Sequence, residues 1–294
     1  MADPRRRHPA NVAGPWFVDT TCIDCDACRQ LAPAVFAEDG DFGQSTVKTQ
    51  PHGPEEQRAA ERALVACPTA SIGIDGGHVD AEGLFPQELA DGIFYCGYNS
   101  EDSFGANAFF AARPEGNLLV DSPRFAAPLV RALEKLGGVR HVLLTHRDDV
   151  ADAARFAAHF GAEVWIHEAD ASAAPFATRL IRGLDPMEIA AGAVAIPLPG
   201  HTRGSVGYVL DSRFLLSGDS LYWSRRKGDL GAFRDACWYS WEAQADSLER
   251  LADHAFEWVL AGHGDRHRAP AAEMQRRLRG LVGRMRTPRG TTEW

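Results

Sequence analysis

Four cysteines near the start of the chain are spaced in a way that could bind an iron–sulfur cluster. Cys22, Cys25 and Cys28 lie three residues apart, and Cys67, which a proline follows, lies 39 residues after Cys28. Three thiolates of one loop can bind three corners of a cubane, and a distant cysteine can bind the fourth. Four cysteines can also hold zinc, but structural zinc sites usually have two separated CxxC pairs. The three-plus-one spacing therefore favours a [4Fe–4S] cluster.

Four short motifs further along the chain could bind other metal ions. They read Thr-His-Arg-Asp-Asp from residue 145, Pro-Gly-His-Thr from residue 199, Ser-Gly-Asp from residue 217 and Ala-Gly-His-Gly from residue 261. Each follows a strand-like run, so the loop at the end of a strand could aim a polar side chain. A single histidine after a strand is seldom a ligand. Three histidines and an aspartate in this order, His146, His201, Asp219 and His263, indicate a metal site.

The elements that must position these residues indicate two domains, 1–85 and 86–294. The first holds the cysteines and one helical stretch near 55–65, and a polar, glycine-rich linker candidate follows at 76–83. The second alternates strand-like and helical runs, which predicts a layered α/β architecture. Strands are predicted at 92–96, 108–112, 117–120, 141–145, 163–166, 206–210, 213–216 and 258–261, and helices near 127–136, 151–160, 243–254 and 271–284.

Composition and charge exclude several classes of protein. The chain has 294 residues, of which 45% are hydrophobic and 24% charged, as in a globular rather than a disordered protein. Its net charge of −9 argues against a nucleic-acid-binding surface. No apolar run approaches the roughly 18 to 20 residues of a spanning helix, and no signal-peptide pattern follows the basic start. We therefore expect a cytoplasmic protein with neither nucleic acid nor a membrane as a partner.

Residues 21–74 resemble the single-cluster bacterial ferredoxins. The resemblance rests on the three spaced cysteines and on the Cys-Pro-Thr-Ala-Ser-Ile ending at residues 67–72. It implies a small α+β domain in which Cys22, Cys25, Cys28 and Cys67 bind one cluster. Because the second position is a cysteine, the family pattern implies [4Fe–4S] rather than [3Fe–4S].

The four later motifs, with the Leu-Leu-Val-Asp run at 118–121 before them, resemble the metallo-β-lactamase superfamily over about residues 92–265. The resemblance implies an αββα sandwich with a mono- or dinuclear metal site. It also implies that His146 opens the first ligand loop, that His201 and His263 bind different metals and that Asp219 bridges them.

The first ligand loop departs from the usual THxHxDH pattern of that family, because residues 145–152 read THRDDVAD. Aligned without gaps, Asp148 takes the place of the second histidine, while Val150 and Ala151 fall where an aspartate and a histidine belong. Aligned with a two-residue deletion, Asp148 and Asp149 take the places of the aspartate and the last histidine. We prefer the deletion, which puts both aspartates in the metal pocket. Asp152 is a weaker candidate, because an acidic residue favours a first helical turn on its own account.

The predicted ligand set is rich in oxygen. Carboxylates shift metal preference from zinc towards iron or manganese. Hydrolysis consumes no electrons, whereas a fused ferredoxin can supply them. The sequence therefore predicts two iron ions beside the [4Fe–4S] cluster and an O₂-dependent monooxygenase, similar in fold to flavodiiron reductases and certain di-iron hydroxylases.

The expected partners of such an enzyme are O₂, a small organic substrate and an external electron donor or reductase. One alternative is a zinc-dependent hydrolase of esters or thioesters in which the cluster is structural or a sensor. Another is a non-enzymatic electron carrier or redox sensor. The sequence does not identify a catalytic residue.

Overall fold

The structure, a computed structural model, describes residues 2–40 and 43–287 and contains two compact units. The first unit is Met1–Arg140 with Ala151–Gly161, and the second is His141–Val150 with Ala162–Trp294. The domain boundary predicted near residue 85 stays a prediction, and the compact units do not follow it. In the described part of the chain, no helix is long and apolar enough to cross a bilayer.

Two antiparallel strand pairs and two helices form the N-terminal part of the first unit. They are β1 (Trp16–Val18) paired with β4 (Ile72–Ile74), β2 (Phe36–Asp39) paired with β3 (Gln44–Val47), α1 (Ala27–Leu31) and α2 (Gly53–Ala66). Helix α2 has Pro54 and Glu55 in its first turn, and both suit the positive end of a helix. Its buried face carries the small residues Ala60 and Ala63, which pack in one core with Trp16 and Phe36.

The rest of the first unit contains four antiparallel strands and two helices. They are β5 (Gln87–Ala90), β6 (Ile93–Tyr95), β7 (Phe109–Ala111), β8 (Leu118–Val120), α3 (Ala127–Lys135) and α4 (Ala153–Phe160). Asp91 and Gly92 join β5 to β6 and both have positive φ, as a tight two-residue hairpin turn requires. Phe110, Leu129 and Phe156 are completely buried in this part of the unit.

The second unit contains three parallel strands and a six-stranded sheet. The parallel strands are β9 (His141–Leu143), β10 (Glu163–His167) and β11 (Arg179–Ile181), with β10 in the middle. The sheet has the order β12-β13-β14-β15-β18-β19, formed by Met187–Ala190, Ala193–Pro197, Val206–Leu210, Phe214–Gly218, Trp258–Ala261 and His267–Arg268. Strands β16 (Tyr222–Ser224) and β17 (Asp229–Gly231) form a separate hairpin.

Two helices of the second unit pack with its six-stranded sheet. Helix α5 (Trp241–Leu251) and helix α6 (Ala271–Met285) bury Leu248 and Leu278 in a core shared with Val209 and Leu215 of the sheet. Strands β14 and β15 are buried at every residue, as expected of strands covered on both faces. This rigid sheet supplies three of the loops that carry the predicted metal ligands.

Candidate cluster and metal sites

The four predicted cluster ligands converge in the first unit. Cys22, Cys25, Cys28 and Cys67 line one small cavity, together with apolar neighbours such as Ile72. All four cysteines are free thiols, and each is at least partly buried. The loop that holds the first three turns sharply, because the aspartates at positions 24 and 26 both have positive φ. The four spaced cysteines therefore place their sulfur atoms around one cavity.

Backbone amides point at two of these sulfur atoms. Ser71 N donates to Cys67 Sγ at 3.3 Å, and Ser45 N lies 3.5 Å from Cys22 Sγ. Burial raises the pKa of the Cys25 thiol to about 12, which favours its protonated form at neutral pH when no metal is bound. Metal binding displaces such protons, and amide donors stabilise the resulting thiolates. These residues fit an iron–sulfur cluster.

A glycine from beyond residue 85 also contacts the cluster site. Gly105, with φ +84, lies so close to Cys25 that a Cβ atom there would be 2.6 Å from Cys25 Cβ and 2.9 Å from its Sγ. Such distances do not occur between real side chains, so glycine is required by space as well as by backbone conformation. The cluster site is therefore completed by a loop outside the ferredoxin-like segment.

The predicted ligands of the other metal site all lie in the second unit, each in a loop after a strand. His146 follows β9, His201 follows β13, Asp219 follows β15 directly, and His263 follows β18. Parallel pairing of β15 with β18 places Asp219 and His263 at the same end of neighbouring strands. Their loops therefore meet.

One group of possible ligand atoms contains two histidines and two carboxylates. His201 Nε2 lies 3.4 Å from Asp148 Oδ2 and 3.7 Å from Asp219 Oδ2. His146 Nε2 lies 3.9 Å and 3.8 Å from the same two oxygen atoms. Ligands of one metal ion lie at such separations, since each would be about 2 Å from the metal. Asp148 thus lies between His146 and His201, where the ungapped alignment puts it.

A second group shares His146 and Asp219 with the first. His263 Nδ1 lies 2.9 Å from both carboxylate oxygens of Asp219. Asp149 is fully buried, and one of its oxygens groups with His146 and Asp219 within 4.8 Å. A Cβ atom on Gly262 would lie 2.8 Å from Asp219 Oδ1 and 3.1 Å from Asp149 Oδ2, so both carboxylates approach this glycine. The arrangement offers two adjacent positions for metal ions.

The hydrogen bonding of the site fits a metal ion. Within the described chain, His146 Nε2 and both ring nitrogens of His201 are buried without a hydrogen-bond partner. Buried polar atoms are otherwise nearly always satisfied. Burial lowers the pKa of His146 to about 4, which keeps the imidazole neutral and able to bind a metal. Burial opposes ionisation of Asp219, but the adjacent His263, His146 and His201 hold the pKa of Asp219 below its usual range.

Asp152 has a different role from Asp148 and Asp149. Its carboxylate accepts a hydrogen bond from Phe125 N at 2.7 Å and pairs with Arg155, and both contacts lie within the first unit. Asp152 also occupies the position before helix α4. These contacts account for its carboxylate as a structural group.

Sequence reasoning missed Asp170, which supports two ligand loops. Its buried carboxylate accepts hydrogen bonds from Arg147 N at 3.1 Å, Thr202 Oγ1 at 2.6 Å and Gly204 N at 3.2 Å. The neighbouring Glu168 points outward and pairs with Arg182. The sequence feature that could have indicated Asp170 is the pair of acidic residues after strand β10. The groups that donate hydrogen bonds to Asp170, however, lie 23 to 34 residues away in the sequence.

An aromatic pair lies beside the ligand loop of His201. Trp238 N and Tyr239 N donate to the His201 carbonyl at 2.9 and 3.1 Å. The rings of Trp238 and His201 are 6.2 Å apart between centroids, and 68% of Trp238 is exposed. Asp148 is also 45% exposed, so the site is open to solvent on the side of this carboxylate.

Two family models match the chain in agreement with this geometry. Residues 18–74 match the 4Fe-4S single cluster domain of ferredoxin I, and residues 89–281 match the metallo-beta-lactamase superfamily. The predicted fold, an α/β metallo-β-lactamase-like sandwich preceded by a small ferredoxin domain, is therefore confirmed.

Two curated relatives match part of the chain. A hydroxyacylglutathione hydrolase of Acidiphilium cryptum (strain JF-5) is 37% identical over 122 residues, 39% of this chain and 49% of the relative. A protein of the same name from Fuscovulum blasticum is 38% identical over 108 residues, 35% of this chain and 42% of the relative. The matches thus span at most about half the length of these relatives.

Solved structures agree on the fold. VMB-1 superposes with a TM-score of 0.52 at 14% identity, covering 68% of this chain and 97% of that protein. DIM-1 metallo-beta-lactamase exposed to ceftazidime gives 0.50 at 19% identity, covering 67% and 95%. At such identities the likeness concerns the fold alone. The family match covers most of the chain, which therefore belongs to the metallo-beta-lactamase superfamily and carries an N-terminal single-cluster ferredoxin domain.

Proposed function

We propose that the protein is a non-haem iron oxygenase that receives electrons through its own [4Fe–4S] cluster. The observation that carries this proposal is the group formed by His146, His201 and Asp148, with Asp219 beside it. Two histidines and one carboxylate with open positions are the ligand set of non-haem Fe(II) oxygenases. The partial exposure of Asp148 leaves such open positions on one side.

The ligand set favours iron over zinc. In the described chain, three carboxylates accompany three histidines at the site, and Asp148 stands where this family usually has a histidine. Oxygen ligands stabilise hard metal ions, whereas zinc hydrolases rely on imidazole-rich sites. Asp219 belongs to both ligand groups, so it would bridge two iron ions. His263 and Asp149 would complete the second position.

The cluster gives the second reason for redox chemistry. Insertion of one oxygen atom into a C–H bond takes O₂, two electrons and two protons, and it releases one water. Iron, when bound, would supply the one-electron steps that let O₂ react. A donor fused to the same chain is present at an effective concentration of about millimolar. Since one cluster carries one electron at a time, an external reductase would reduce it twice per turnover, in a reducing cytoplasm.

The residues of the chain itself would position metal and substrate. Asp170 holds the loops of His146 and His201 through Arg147 N and Thr202. Trp238 offers an exposed aromatic surface next to His201, suited to a small organic substrate with an apolar face. These groups would orient the metal ligands and the substrate.

A second candidate function is a metal-dependent hydrolase of thioesters. The observation that favours it is the 37–38% identity to hydroxyacylglutathione hydrolases over 35–39% of the chain. In that case zinc, when bound, would lower the pKa of the water molecule that attacks the thioester carbonyl. The cluster would then be structural or a sensor.

Metal and acid-labile sulfide content of anaerobically purified protein separates these functions. The oxygenase predicts about six iron atoms and about four sulfides per chain. About four iron atoms with one or two zinc ions would contradict it and favour the hydrolase. As a second test, protein reduced with dithionite and freed of excess reductant should consume O₂. An Asp219→Ala variant should consume less, because it keeps the cluster, whose own reaction with O₂ both proteins share, but lacks the non-cluster iron.

A further inference from the structure

Arg124 is a partly buried cation whose guanidinium contacts backbone carbonyls at and near the predicted cluster ligand Cys67. Its Nη2 donates to Val65 O at 2.9 Å and lies 3.3 Å from Cys67 O. Its Nε donates to Asn99 O at 2.9 Å, and its own N–H donates to Tyr98 O at 2.8 Å. Three contacts therefore fix the guanidinium beside Cys67, a fourth holds the backbone of Arg124, and all of them lie within the first unit.

In the described chain, the guanidinium of Arg124 forms no hydrogen bond with a carboxylate. All side-chain hydrogen bonds of Arg124 in the described chain go to backbone carbonyls. Burial lowers the pKa of Arg124, and nearby Cys67, Tyr98 and Asp152 oppose that shift. Cys67 therefore belongs to the electrostatic surroundings of this cation.

The end of helix α2 explains why a cation is useful here. Cys67 directly follows α2, whose last carbonyls carry the negative end of the helix dipole, about half a unit charge. An electron added to a cluster on Cys67 would be repelled by this end of the helix. A guanidinium bonded to Val65 O and close to Cys67 O offsets the repulsion. Net charge and hydrogen bonding near the sulfur ligands are known to set cluster potentials.

We propose that Arg124 raises the reduction potential of the cluster bound by Cys22, Cys25, Cys28 and Cys67. Arg124 is a positioning residue, because it acts through the backbone and the electric field rather than as a ligand. The inference rests on the cluster of the proposed function but not on oxygenase activity. It holds equally if the second unit is a hydrolase.

If Arg124 had only a structural role, capping the C-terminus of helix α2, a different result would be expected. Loss of the hydrogen bonds would lower the melting temperature and leave the potential unchanged. The two roles are separated by measuring the midpoint potential of the cluster in the full-length, anaerobically purified protein, by optical titration with electron paramagnetic resonance of the reduced state.

The Arg124→Gln variant should lower the equilibrium constant for one-electron reduction about tenfold, which is about 59 mV. Arg124→Lys keeps the charge and should retain most of the wild-type potential. Arg58→Gln is the matched control, since exposed Arg58 also donates to a backbone carbonyl, Gly83 O, but contacts no cluster ligand. It should leave the potential unchanged.

Asp152→Asn provides an independent test, in which the midpoint potential should shift in the opposite direction. It can be carried out even if the Arg124→Gln protein does not fold. It removes a negative charge near Arg124, while the asparagine oxygen can still accept from Phe125 N. The potential should rise. An unchanged potential in Arg124→Gln, an equal fall in Arg124→Lys, or no rise in Asp152→Asn would overturn the proposal. A chain that holds zinc instead of a cluster would overturn it together with the oxygenase.

Discussion

The carboxylate of Asp170 accepts a hydrogen bond of 2.6 Å from the hydroxyl of Thr202, the residue that follows the predicted ligand His201. The same carboxylate also accepts from Arg147 N, the amide that follows the predicted ligand His146. One buried acidic side chain therefore holds together the two loops that carry these imidazoles.

This tie predicts that Asp170→Asn weakens metal binding in the second unit by about 10- to 100-fold, the usual effect of losing support behind the ligands. The asparagine NH₂ would face N–H and O–H donors, so the loops would separate. Competition with a chelator, followed by metal analysis, measures the loss. Glu168→Gln, two residues away and exposed, should bind metal normally. Equal affinities in all three proteins would contradict this role.

Asp148 should control which metal is bound. Asp148→His restores an imidazole-rich group with His146 and His201, and imidazole suits zinc. Protein produced with iron and zinc both supplied should therefore contain several-fold more zinc relative to non-cluster iron than wild type. Asp185→His adds the same side chain at an exposed position and is the control. An unchanged metal ratio would show that the carboxylate at position 148 does not select iron.

Asp219 and His263 should differ in how much metal their loss removes. Asp219 belongs to both ligand groups, so Asp219→Ala should remove nearly all non-cluster metal. His263 belongs to one group, so His263→Ala should leave the position near His146 and His201 occupied. Metal analysis together with the visible absorption of the cluster measures both outcomes. The absorption should be unchanged in each variant, and equal metal loss would contradict the bridging role.

Gly105 should be required for the cluster. Gly105→Ala would put a Cβ atom against Cys25, so we expect less than about half the wild-type iron and sulfide in the first unit. Gly83→Ala is a matched control, because Gly83 also has positive φ but has nothing within 4 Å of the added atom. It should lose about 1 kcal/mol of stability from the backbone conformation and keep its cluster. Full cluster content in Gly105→Ala would show that the close packing of residue 105 against Cys25 is not required.

Two strands of the second unit were predictable because their residues are mostly apolar. Strand β14 and strand β18 lie at the predicted positions, 206–210 and 258–261. Helix α5 begins two residues before the predicted 243, because Ser240 Oγ accepts from Ala243 N and caps the first turn. Strand β13 received no predicted bounds, although the motif of His201 was expected to follow a strand-like run, since its alanines and Pro197 have low β propensity.

The supporting contacts of the sites could not be predicted in the same way. Asp170 and Gly204 are 34 residues apart, and Gly105 and Cys25 are 80 residues apart. No local pattern links such pairs, because only the folded chain brings them together. From the sequence we preferred the alignment with a two-residue deletion, whereas the side-chain positions put Asp148 between two histidines, as the ungapped alignment does.

The contact of Gly105 with Cys25 has a consequence for the order in which the protein matures. Synthesis proceeds from the N-terminus, so all four cysteines leave the ribosome before residue 105 does. A cluster delivered at that stage is bound before Gly105 packs against Cys25, whereas a cluster replaced later must enter with that contact already formed. We therefore expect assembly during translation to be faster than repair of the finished protein after oxidative damage.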